Sequence, residues 1–82
     1  MRYTMIIDGR VYSTAQHIKF LKDSAEEDFF SLPWCKETFT SAYIMDGNTV
    51  IQSRLNWGSD TGWQKRKFKD PALIEVRRVA SL

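Results

Sequence analysis

A single cysteine, Cys35, leaves no partner for a disulfide within the chain. That usage fits a compartment where thiols stay reduced. Histidine is as scarce: His17 stands alone, and one His with one Cys in a separate segment falls short of a four-ligand zinc centre. The glycines are scattered at 9, 47, 58 and 62, and no Lys-Ser or Lys-Thr follows Gly58–Gly62, so the chain carries no phosphate-cradling loop. No serine stands in a strained Gly-x-Ser-x-Gly elbow. Long apolar runs are missing too, since none approaches the roughly 20 residues needed to span a bilayer. The apolar run in MRYTMIIDGR is short, and Asp8 follows it at once, unlike a secretory leader. The expectation is a cytoplasmic protein with no membrane contact, no metal and no cofactor.

Two clusters invite a chemical reading, and each has a plainer one. Cys35 with His17 is the only nucleophile–base pairing on offer, but lone cysteines commonly fill cores as small apolar groups. His17 falls on a helix surface in the same reading. Glu26, Glu27 and Asp28 are adjacent on that helix and point in different directions, as a solvated acidic turn does. We therefore expect no catalytic residues and no enzymatic activity.

What is present suits a small globular domain. The 82 residues are 43% apolar, with three Trp, three Tyr and five Phe. That is enough apolar surface to offset the entropy of ordering the chain, so disorder is not expected. At this length we expect one domain, residues 1–82. The net charge is +2 and unevenly placed. Residues 1–53 hold five Lys/Arg against seven Asp/Glu, whereas residues 54–82 hold seven against three.

The chain is organised around STAQHIKFLKDSAEEDFFSL, residues 13–32, the best helix candidate. Ser13 and Gln16 have the spacing of a capping box. Ala15, Ile18, Leu21 or Lys22, Ala25 and Phe29 recur at steps of three and four, which places them on one helical face. Phe20 and Phe30 would widen that stripe over a sheet. Ser24 and Glu27 repeat the capping box inside the helix, so a bend near Asp23–Ser24 is expected. Pro33 would end it.

A hairpin pattern lies on each side. Tyr3–Asp8 is rich in strand formers, and Asp8-Gly9 is a two-residue type I′ turn signal returning into Arg10–Tyr12. After a connector at residues 34–37, Thr38–Met45 and Thr49–Trp57 read as strands around Asp46-Gly47-Asn48. In the second of these, Ile51, Leu55 and Trp57 would share one face, with Gln52, Arg54 and Asn56 on the other. Residues 58–62 read as loop. WQKRKFK, residues 63–69, lies between extended chain and a poor strand. Asp70-Pro71 breaks the chain, and ALIEVRRVA, residues 72–80, reads as a last strand on its Ile and Val content, with a helix as the alternative. The expected fold is α+β, ββαβββ: one mostly antiparallel sheet with a single helix packed on one face. The uncovered face would carry Gln52, Arg54, Glu75 and Arg77.

The C-terminal half interleaves rings with cations. Arg54, Trp57, Trp63, Lys65, Arg66, Lys67, Lys69 and Arg77 are the candidate partner-binding residues. Trp, Tyr and Arg dominate interface hot spots, and one helix over five strands leaves a sheet face open. The function expected is a small non-catalytic binding protein, a regulator or inhibitor. It would dock on a protein partner through that aromatic and Arg-bearing face and the 57–69 loop. Such a role fits a phage or bacterial accessory protein, and a homodimer would use the same surface. The alternative is a single-stranded DNA- or RNA-binding protein, because cations beside stacking rings suit phosphates and base faces. The plainer explanation is that the tryptophans are core and the lysines merely solvate an edge strand.

Overall fold

The computed structural model describes residues 2–31, 40–55, 57 and 62–80. Strands β1 (Tyr3–Ile7) and β2 (Arg10–Ala15) precede helix α1 (Ile18–Ser31). Strands β3 (Ser41–Asp46), β4 (Thr49–Leu55) and β5 (Gln64–Phe68) follow, and helix α2 (Pro71–Ala80) ends the described chain. The strands form one antiparallel sheet in the order β2-β1-β3-β4-β5. The class is α+β, but the order is ββαβββα: the ambiguous 63–69 segment supplies the fifth strand, and a second helix stands at residues 72–80, where the fifth strand was expected.

The first hairpin forms as its turn chemistry requires. Asp8 and Gly9 both take positive φ, 52° and 78°, the combination a type I′ turn demands. The Asp8 carboxylate then ties this turn to the start of β3. Its Oδ1 accepts from Thr40 N at 2.9 Å, Thr40 Oγ1 at 2.6 Å and Ser41 N at 3.0 Å. The second hairpin turns through Gly47, also at positive φ, and Asn48.

Helix α1 starts later than the Ser13 cap implies. Residues 13–15 stay in β2, where Ser13 pairs with Met5 and Ala15 with Tyr3. Pairing with β1 satisfies the backbone there, so the capping box is not used. The helix runs through Ser24 without a break. Its inner stripe is the expected one: Leu21, Ala25 and Phe29 are buried, with Ile18 packed beside them. Phe20 and Phe30 do not widen the stripe; both are exposed.

Helix α2 overturns the strand reading of residues 72–80. Asp70 caps it, its Oδ1 accepting from Ala72 N at 3.0 Å and its carbonyl from Ile74 N at 3.0 Å. Pro71 takes the first helical position, where its missing N–H costs nothing. Arg77 and Arg78 fall in the last turn, favourable to the helix dipole. The capping and the amphipathic spacing outweigh the β-branched content.

The two helices cover opposite faces of the sheet. Met5, Ile7, Ala42 and Ile44 meet Leu21, Ala25 and Phe29 of α1. The alternate residues Ile6, Met45 and Val50 meet Leu73 of α2. On the α2 side Arg77 Nε donates to Thr4 Oγ1 at 3.1 Å. A bulge in β4 changes the expected facing. Ile44 pairs with Gln52 and Met45 with Val50, so Ile51 is an extra residue. From there on, Arg54 lies opposite Ala42, on the α1 side. Neither Gln52 nor Arg54 therefore lies on the face away from α1, and Glu75 and Arg77 are not in the sheet at all. The connector at 34–37, Pro33, Cys35 and the stretch 58–61 lie outside the described residues. No described helix is long and apolar enough to cross a membrane.

Candidate functional site

Arg54, Trp57 and Trp63 belong to one stack on the α1 side of the sheet. Trp57 keeps only 6% of its exposure and stacks on Phe29 at 5.8 Å with 29° between planes. Trp63 meets Trp57 edge to face at 5.6 Å. The Arg54 guanidinium lies 4.2 Å over the Trp57 ring and is held by Glu26 Oε2 at 2.9 Å. Its side chain retains 14% exposure, too little to present the cation to a partner. Lys22 Nζ sits 5.4 Å over the half-buried Trp63 ring. Partial burial there holds its ammonium below the usual lysine value, because hydration is lost. Arg54 and Trp57 thus serve the core, and Trp63 seals the core's edge.

Arg77 is likewise engaged, bonded to Thr4 and half-buried between α2 and β1. It lies on the opposite face of the sheet from Arg54 and Trp57. The sequence candidates therefore do not converge into one site.

Lys65, Arg66, Lys67 and Lys69 form the remaining group. All four are exposed. The first three stand on β5, the last strand of the sheet on that side, and Lys69 follows it directly. Three register pairs join β5 to β4, with an irregularity between Val50 and Gln52. Lys65 pairs with Gln52 and so lies on the α1 side; Phe68 pairs with Val50 and so lies on the α2 side. Residues 65–68 of β5 are exposed, whereas β2 contacts both helices. Arg66 Nη1 donates to the Lys65 carbonyl at 3.1 Å, a local bond at the surface.

Phe68 keeps 40% exposure and Leu55 keeps 48%, both on the α2 side but at opposite ends of β4, since Phe68 pairs with Val50 and Leu55 is the last residue of that strand. Leu55 was expected to point inward with Trp57; the β4 bulge turns it outward. Sequence reasoning also missed a groove of about 470 Å³ between the first hairpin and α2. Val11, Val76 and Val79 line it, with Arg10 and Glu75 at its rim. A helical reading of residues 72–80 would have put Val76 and Val79 on adjacent turns and pointed to it. Among the described residues, no three His, Cys, Asp or Glu side chains converge as metal ligands would.

Comparisons with known proteins add no identity. No family model matches the chain, and neither a curated protein nor a solved structure matches it significantly.

Proposed function

We propose that the chain is a non-catalytic binding protein that acts by occupying a protein partner's surface, and that its contact surface is the β5 side of the sheet. The observation that carries this reading is the grouping of Lys65, Arg66, Lys67 and Lys69, all exposed, on and just after an edge strand. The other candidate cations, Arg54 and Arg77, are held by the fold. Phe68 supplies an exposed apolar ring among the cations, the mixture typical of a hot spot with a polar rim. Regulation or inhibition would follow from steric occupation, with no bond made or broken.

Single-stranded nucleic acid is the second reading. One observation favours it: Phe68, an exposed ring, stands on the strand that also carries exposed Lys65, Arg66 and Lys67, so one strand offers both a base face and phosphate partners.

Photo-crosslinking separates the two. With p-benzoylphenylalanine in place of Phe68, the protein-partner reading expects a discrete protein adduct in the cells that make the chain. That adduct should be lost when Lys65→Glu and Lys67→Glu are added. It should not form from the same probe at Phe20, on the far side of α1. An adduct with nucleic acid alone, or no adduct, would overturn the reading.

A further inference from the structure

We infer that the occupant of the β5 edge is an extended protein segment of alternating acidic and apolar residues, added to the sheet as a sixth strand. This rests on the binding role proposed above and names the partner's chemistry and its mode of docking.

The backbone supplies the first reason. A terminal strand turns alternate N–H and C=O groups away from its neighbour, and these pair readily with another extended chain. Among the described residues no strand lies beyond β5. The opposite edge, β2, is flanked by α1 and α2, and its Tyr12 hydroxyl is engaged by Asp28 and Ser24 of α1. Among the described residues the β5 edge is the more open of the two.

Charge selects the occupant. Within residues 63–71 there are four cations and a single acid, Asp70. The Asp70 carboxylate already caps α2. A second copy of the chain pairing β5 to β5 would bring like charges directly opposite each other, which is destabilising. A neutral strand would strip water from the cations and return nothing. An acidic strand answers them.

The two faces of β5 set the alternation. Lys65 and, two residues on, Lys67 lie on the α1 side, whereas the exposed Phe68 ring lies on the α2 side with Arg66. Successive side chains of an added strand point to opposite faces. Acids at every second position would then meet Lys65 and Lys67, and an intervening apolar residue would cover the Phe68 ring.

The test uses the whole chain and a fluorescein-labelled dodecapeptide of alternating Glu and Val, followed by anisotropy. The expected result is saturable binding that weakens as salt rises. Affinity should fall about tenfold or more when alternate peptide amides are N-methylated, which removes strand hydrogen bonds and keeps every charge. It should fall similarly in Lys65→Glu/Lys67→Glu and, more mildly, in the charge-neutral Lys65→Gln/Lys67→Gln. Equal affinity for the N-methylated peptide would overturn strand addition and leave a basic patch. The Phe68 crosslink to a protein would then still stand. Failure to bind the peptide would also overturn the inference, and preference for an oligothymidylate control would overturn the protein reading with it.

Discussion

Asp8 does two things with one side chain. It holds a positive φ that most residues avoid, and its Oδ1 fastens the first turn to Thr40 and Ser41 at the start of β3. Asp8→Ala loses the charge-assisted bonds and tolerates the backbone less well, so it should cost about 2 kcal/mol in urea unfolding. Asp8→Asn keeps the turn preference and one acceptor, and should cost less than half of that. Arg54 is the second residue whose role differs from its expected one. Stacked at 4.2 Å on Trp57 and paired with Glu26, it behaves as a planar core-edge residue. Arg54→Lys keeps the charge but loses the planar fork, and should destabilise the fold by about 1 kcal/mol by the same measurement. Lys22 gives a pH signature. Its pKa is lowered from 10.5 by desolvation, so the folded state disfavours the charged form. The unfolded chain therefore holds the proton to higher pH, and stability should rise as pH climbs through the folded value towards about 10.5. Lys22→Met should flatten that rise in unfolding midpoints measured across the alkaline range.

The elements differ in how plainly the sequence announced them. Both hairpins were legible because Asp8-Gly9 and Gly47-Asn48 are turn residues with a mechanism, flanked by strand formers. The buried stripe of α1 was legible from the three- and four-residue spacing of Ile18, Leu21, Ala25 and Phe29. Its start was not, because Ser13 and Gln16 satisfy a cap pattern whose backbone the pairing with β1 had already claimed. The β4 bulge at Ile51 left no mark in the alternation, and it reversed the facing of Leu55 and Arg54. The strand reading of residues 72–80 fails because it weighs Ile and Val content above a helix with Pro71 in its first turn, and the Asp70 cap decides for the helix. α2 depends on Leu73, which reaches Ile6, Met45 and Val50 across the sheet. Leu73→Ala should cost about 2–4 kcal/mol. Hydrogen exchange should speed up in α2 before it does in β1 or β3.

At the scale of the molecule, the sheet separates the charges the sequence had already divided. Acidic Asp23, Glu26, Glu27 and Asp28 ride on α1, and four exposed cations, Lys65, Arg66, Lys67 and Lys69, stand on β5 or just after it. The basic run was the part of the site that sequence could identify, because the consecutive cations Lys65, Arg66 and Lys67 in a short strand leave few places but an edge. Arg54, Trp57 and Arg77 could not be sorted from it, because their burial depends on the bulge and on a helix that sequence reasoning put in the sheet. The central claim is that the β5 cations serve contact and the stack around Trp57 serves stability. The most direct measurement is the yield of the Phe68 protein crosslink, set beside the urea midpoint, in Lys65→Glu/Lys67→Glu and in Lys19→Glu, a reversal on α1. The account predicts a crosslink reduced about tenfold or more for the β5 pair alone, with both midpoints close to that of the unaltered chain. An undiminished crosslink in the β5 variant, or an equal loss in both, would contradict it.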